Sequence, residues 1–526
     1  MKQEAFQQLV GKAYTFEGDA IELGGAMLGD EVQPGLKVRI PLRTLNRHGL
    51  IAGATGTGKT KTLQMLAEQL SRNGVSSLLM DIKGDLSGIA MPGTPNPKIE
   101  ARHEQIGIPF EAAGNPVELL SLSDEPGLRL RATVTEFGPV LFSKILDLTE
   151  VQASVVAVVF KYCDDQNLPL VDLDDFKKTL QYLTDEGKEE AEKEYGRIST
   201  ASTGTIFRKL IALEQQGAAR FFGEPSFEVA DLCRVNSQGQ GMISILRVTD
   251  LQDRPQLFAT FMMSLLAEIY ASFPELGDPD RPELVLFIDE AHLIFDNAPD
   301  ELLDQIESVI KLIRSKGIGI FFCTQNPIDV PEAVLGQLGL KVQHALRAFT
   351  AKDRQAIKLA SQNFPETEFY EIENQITALG IGEAFVTALN EKGIPTPLVH
   401  TRLRAPGSRM DVLTESEIAA LVAQSKLASK YNREVNRESA HEILSAKIAA
   451  AQEESQQAEL KQQQEKAREV STRSRRQEKS TLEQIASSPV ARQVGRTVAR
   501  ELTRGLLGVL GLGGGSSRKK KGGLFF

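Results

Sequence analysis

The chain has 526 residues, 41% hydrophobic and 25% charged, close to soluble globular averages, which excludes both a stapled miniprotein and a wholly disordered polymer. Its 60 Lys and Arg stand against 70 Asp and Glu, net −10, but residues 461–526 carry 15 basic and 5 acidic residues, leaving net −20 for the first 460. An acidic body with a basic end does not exclude a polyanionic partner, which needs only a strip of positive surface.

Cys163, Cys233 and Cys323 lie far apart with no CxxC spacing, so neither a disulfide framework nor a zinc ribbon is expected, and a cytoplasmic location suits them. The first residues lack an apolar stretch with a cleavage site, and no run of about 18 apolar residues follows, so no membrane span is expected. Residues 1–45 read as a short β-rich lead-in, alternating over Val38 to Leu42 and punctuated by Gly24, Gly25, Gly29 and Gly35. His48 to Ala52 is an apolar run entering a Gly-rich turn, and Leu63, Leu66, Ala67 and Leu70 then recur at helical spacing. Val75 to Ile82 is a second apolar run. This strand, loop, helix, strand order opens an α/β fold with a mostly parallel sheet.

Residues from about 138 to 235 change character, with helices expected over Thr149 to Tyr162, Asp172 to Leu183 and Ser202 to Phe222, and read as a helical insertion within a core spanning 46–405. Strands are expected at Met242 to Val248, Leu284 to Ile288, Ile318 to Cys323, Val342 to Phe349, Ala384 to Ala388 and Pro397 to Leu403, with helices behind Pro255 and over Glu301 to Arg314. Residues 406–484 turn helical and polar; Gln452 to Ser480 holds too few apolar residues for a core and reads as an exposed helix or disordered tether. In the tail, 485–526, Val490, Val494, Val498, Leu502, Leu506 and Leu510 alternate with Arg492, Arg496, Arg500 and Arg504, an apolar row opposite a basic row on a helix.

Gly53-Ala54-Thr55-Gly56-Thr57-Gly58-Lys59-Thr60 satisfies GxxxxGK[ST] between an expected strand and helix. There glycines let backbone N–H groups turn inward around phosphate oxygens, at a helix N-terminus. Lys59 would reach the β and γ phosphates and Thr60 a Mg²⁺ ion. Leu284 to Ile288 ends in Asp289 and Glu290; an acid at a strand's end suits either solvent or a metal, Asp289 serving the ion and Glu290 the attacking water. Gln325 follows the next strand, placed for γ-phosphate sensing or for a turn. Arg314 ends the intervening helix, either complementing its dipole or acting as an arginine finger. Asp81, in Asp81-Ile82-Lys83-Gly84-Asp85, suits a turn or a contact to the same site.

In order, GATGTGKT, LLMDIKGDL, LVLFIDEAH and IRSKGIGIFFCTQNP resemble the HerA–FtsK superfamily of ring-forming P-loop ATPases, and within it the HerA-like helicase family, over about Ile21 to Arg404. The resemblance implies a RecA-like P-loop fold with Lys59 and Thr60 as the Walker A pair, Asp289 and Glu290 as Walker B, Gln325 as the polar sensor and Arg314 acting in trans. It also implies ATP and Mg²⁺ as cofactors, a homo-hexamer with double-stranded DNA in its channel, and a partner nuclease. Fewer than 50 residues precede the first core strand where HerA proteins carry a sizeable β-barrel, so that barrel is expected to be absent or reduced. Asp289-Glu290-Ala291-His292 spells DEAH, without the other signatures of two-lobed DEAH helicases.

The expected function is therefore Mg²⁺-dependent ATP hydrolysis driving a ring DNA translocase or helicase. The alternative is a non-motor ATPase switch for protein assembly or peripheral membrane docking. The tail fits docking on the core, phosphate contact with DNA, or an anionic lipid surface.

Overall fold

Apolar runs too short for helices and without polar alternation are strands covered on both faces, and in this chain they line up as the middle of one sheet. The computed structural model describes residues 2–123, 125–249, 255–295 and 300–485. In chain order the strands are β1 (Ala20–Leu28), β2 (Glu31–Pro41), β3 (Gly49–Ala52), β4 (Ser76–Asp81), β5 (Val117–Ser121) and β6 (Leu128–Arg129), then β7 (Ile243–Arg247), β8 (Leu284–Ile288), β9 (Ile318–Thr324), β10 (Leu340–Gln343), β11 (Glu383–Thr387) and β12 (Val399–Leu403). Their spatial order is β2-β1-β12-β11-β10-β3-β9-β8-β4-β7-β5-β6.

From β10 to β6 every pairing is parallel, and β3, β4, β8 and β9 are buried along their whole length. The register puts Ala52 beside Thr324 and Ile288 beside Phe322, so the ends of β3, β9 and β8 lie side by side. β11, β12, β1 and β2 continue the sheet beyond β10 as an antiparallel wing. Hence the fold is an α/β P-loop architecture with a mostly parallel sheet and an inserted group of helices.

Residues 1–45 are thus not a separate lead-in: β1 and β2 belong to the main sheet. A helix, Lys2–Ala13, precedes them, burying Phe6 and Val10 one helical turn apart where strands and turns alone were expected. The strand expected to run to Phe349 stops at Gln343. Helix Pro97–Ile106 and strands β5 and β6 were not anticipated. The inserted helices Val134–Ile145, Glu150–Gln166, Leu173–Thr184, Lys188–Glu194 and Thr200–Gln215 include an aromatic cluster in which Phe142 meets Phe160 and Phe176 at 6.0 and 4.9 Å between ring centres.

By contacts the chain divides into Met1–Ser445 and Ala446–Phe526. Helix Ala440–Ile485 is exposed at every residue over 451–468, as its polar sequence requires. The Val/Leu and Arg rows at 490–510 lie outside the described residues. Among the described residues no helix is long and apolar enough to cross a membrane.

Candidate nucleotide site at the strand ends

The glycine loop leaves β3 in a conformation that L side chains resist. Gly53 has φ 154°, and a Cβ there would stand 2.5 Å from the Cβ of His344; Gly58 has φ 114°. Three backbone bonds fix the loop: Gly53 N–H to the Thr324 carbonyl at 3.2 Å, Ala54 N–H to Ala345 at 2.8 Å, and the Thr57 carbonyl accepting from Gly382 N–H at 3.0 Å. Helix Lys59–Arg72 then starts from Gly58 with no side-chain cap, leaving its N-terminal donors available to an anion. Buried His344 sits beneath, its Nε2 2.9 Å from Thr62 Oγ1, and burial and the Lys59 charge hold its pKa down to about 4.

Opposite the loop, β8 delivers Asp289 and Glu290, both buried. Burial pushes the Asp289 carboxyl up to about 6, against the pull of Lys83, and its Oδ2 has no hydrogen-bond partner. Glu290 takes φ 48°, uncommon for a side-chain-bearing residue, which turns the chain at the strand's end. Its carboxylate pairs with Lys83 and lies 3.3 Å from His292 Nδ1, yet neither oxygen receives a well-directed hydrogen bond. Lys59 donates to the Ala54 carbonyl at 3.3 Å; burial lowers its pKa, while the charges of Glu290 and Asp289 oppose that shift.

Lys83 was the residue that sequence reasoning passed over. It follows β4, the neighbour of β8, so adjacency brings it to Glu290. Asp81, whose role was open, serves the turn: its carboxylate accepts from the N–H groups of Gly84, Asp85 and Leu86 at 2.7, 3.1 and 3.2 Å and so shapes the loop that carries Lys83. Gln325 is exposed just past β9, between the glycine loop and the acids. Arg314 is not brought to them. It sits on the turn before β9, and seven residues of strand at ~3.3 Å each put it about 20 Å away, at the opposite ends of the strands.

These residues suit a triphosphate with a divalent cation: a donor-rich concave loop, a lysine, and a buried carboxylate oxygen without a partner. Among the described residues no three His, Cys, Asp or Glu side chains cluster to hold a metal alone.

The family profile described as "Helicase HerA-like C-terminal" matches residues 27–518. The chain belongs to this HerA-like helicase family. It is accordingly a P-loop ATPase of the HerA–FtsK superfamily. Among relatives of the family, the DNA double-strand break repair helicase HerA of Sulfolobus acidocaldarius is 20% identical over 376 residues, 71% of this chain and 68% of that protein. The HerA helicase of Sulfurisphaera tokodaii is 23% identical over 375 residues, 69% of this chain, and the match spans 66% of that relative's length. Among solved structures, the bacterial conjugative coupling protein TrwB covers 77% of this chain and 94% of its own at 13% identity, with a TM-score of 0.49. VirB4 of Thermoanaerobacter pseudethanolicus covers 74% and 97% at 18% identity and a TM-score of 0.46. At that level of likeness neither speaks to function here.

Proposed function

We propose that this HerA-like ATPase hydrolyses ATP with Mg²⁺ at the ends of β3, β9 and β8, and that turnover drives a homo-hexameric ring along double-stranded DNA. The observation that carries the hydrolytic reading is the convergence of the glycine loop and Lys59 with Glu290 and with Asp289, whose buried Oδ2 has no hydrogen-bond partner. The backbone N–H groups of residues 53–60 hold the phosphates, and Lys59 neutralises charge on the β and γ groups. Thr60 and Asp289 hold Mg²⁺, which when bound offsets the charge that builds on the phosphate oxygens. Glu290 accepts the proton of the attacking water, and Gln325 orients that water from the neighbouring strand. Arg314 lies too far to act in its own chain's site, so its part as an arginine finger, by family resemblance, falls in a neighbouring copy's site.

The motor reading is supported by family membership and by relatives named as DNA break-repair helicases. The same reading includes a nuclease partner, on family resemblance, and a cytoplasmic location, on the cysteine pattern. ATPase rate with and without double-stranded DNA is the test. Stimulation that fades with salt supports the motor, because phosphate contacts weaken as counterions compete. A rate indifferent to DNA at low salt rejects it and favours the assembly switch.

A further inference from the structure

Glu290 is buried at the end of β8, and the backbone around it is fixed. Its carbonyl accepts from the Leu293 N–H at 2.9 Å, and the next residue, Ala291, donates to the Cys323 carbonyl of β9 at 2.9 Å. The side chain is held differently. Its two oxygens face Lys83 and His292 and receive no directed hydrogen bond from any backbone N–H or hydroxyl. His292 stands two residues on, in the turn that Glu290 itself begins, so it cannot anchor that turn to anything else. Among the described residues, Lys83 is the side chain that ties this carboxylate to a second strand.

The loop that presents Lys83 is closed on itself. Buried Asp81 accepts from three successive N–H groups, those of Gly84, Asp85 and Leu86, which folds the loop back onto the end of β4. Gly84 completes the turn with φ 76°, and a Cβ there would meet Thr249 Cγ2 at 3.0 Å. A lysine on so constrained a loop has its starting point fixed. The Lys83 side chain is 36% exposed and that of Glu290 6%, so the pair joins the surface to the interior of the site. Exposed ion pairs contribute little, but removing the partner of a buried carboxylate leaves a charge that the interior holds poorly. Sheet order sets the direction of approach: in the run β3-β9-β8-β4, Lys59 and Lys83 come from strands on opposite sides of β8.

We propose that Lys83 is a positioning residue for hydrolysis, which aims the Glu290 carboxylate at the attacking water and takes no part in holding the nucleotide. This rests on the proposed role of Glu290 as the base and deepens it by naming what orients that base. Asp81, by closing the loop, acts on the same carboxylate at one remove.

Lys83→Met and Lys83→Arg, each made in the parent chain and in Glu290→Gln, test it. The readouts are equilibrium ATP binding, kcat and KM, and the Mg²⁺ concentration that gives half-maximal turnover. Lys83→Met keeps the length of the side chain and removes its charge. Its kcat should fall about tenfold or more, with ATP affinity, KM and the Mg²⁺ requirement within about twofold of the parent. Lys83→Arg restores the cation and should keep kcat within about threefold of the parent. In Glu290→Gln, Lys83→Met should bring no further loss, because a residue that acts through the carboxylate then has nothing to aim. An equal further loss in that background, weakened ATP binding or a raised KM, or a kcat as low in Lys83→Arg as in Lys83→Met overturns the role. So does a shifted Mg²⁺ requirement, which would place the effect on Asp289, or an unchanged kcat in Lys83→Met. A Glu290→Gln chain that turns over at the parent rate overturns the base assignment itself.

Discussion

Glu290 and Lys59 divide the work between chemistry and binding, and their variants should separate accordingly. Glu290→Gln keeps the side-chain volume and removes the proton acceptor, so ATP should bind with near-native affinity while turnover falls by about 100-fold or more. Equal loss of binding would make Glu290 a structural residue. Lys59→Ala removes the charge that faces the phosphates, and turnover should disappear; undiminished ATPase would sink the assignment. Gly53→Ala is a third case, since its methyl group would meet His344 at 2.5 Å on a backbone with φ 154°. Strain of this kind is of order 1–3 kcal/mol. A lowered melting temperature together with lost nucleotide binding is expected, and a protein as stable as the parent would show that the loop tolerates repacking.

At the scale of elements, His48 joins three of them. It stands ahead of β3, its Nδ1 accepts from the Ile320 N–H of β9 at 3.0 Å, and its Nε2 lies 2.9 Å from the Ile310 carbonyl on helix Asp300–Ile313. Both contacts are satisfied only by the neutral ring with its proton on Nε2. Burial holds its pKa down to about 4 from 6.5. The unfolded chain therefore takes up a proton that the folded chain refuses. Stability from this group is complete above pH 6.5 and is lost as pH falls from 6.5 towards 4, by up to about 3 kcal/mol. Urea unfolding at pH 7 and pH 5 should show the loss, and His48→Gln should flatten it; a slope unchanged by that substitution would assign it elsewhere.

The elements also show what the sequence made legible. β3, β4, β8 and β9 lie in mostly apolar runs bounded by glycine or acid, Ser76 and Ser77 being the polar interruption in β4, and their limits agree with the reading to within two residues. β1 was hidden because Gly24 and Gly25 interrupt it, and at Gly24 a Cβ would strike the Arg402 carbonyl at 2.0 Å, so the glycine serves strand packing and not a turn. β6 has two residues, too few for any pattern. The glycine loop and the two acids were evident from motif chemistry. Lys83 was not, because its link to Glu290 follows from the adjacency of β4 and β8, about 200 residues apart in sequence, and strand order is set by crossovers that no local pattern encodes.

For the whole molecule, the separation of Arg314 from Lys59 makes the proposed ring testable by mixing. Arg314→Ala and Lys59→Ala chains should each be inactive, yet together form interfaces where an intact Lys59 faces an intact Arg314. Recovered ATPase in the mixture, and a hexameric mass with nucleotide, are expected; no recovery, or a monomer, removes the role in trans. The antiparallel wing carries a further consequence, for the order in which the protein becomes competent during its synthesis. The glycine loop is complete by Thr60, but Ala54 bonds to Ala345, Thr57 to Gly382, and β1 pairs with β12. A growing chain thus holds the loop's sequence long before it holds the loop's supports. Pairings this distant form late, since closing them costs entropy before contacts repay it. A nascent chain ending before Leu403 should be unable to capture nucleotide, which delays ATP binding until nearly all of the sheet has left the ribosome.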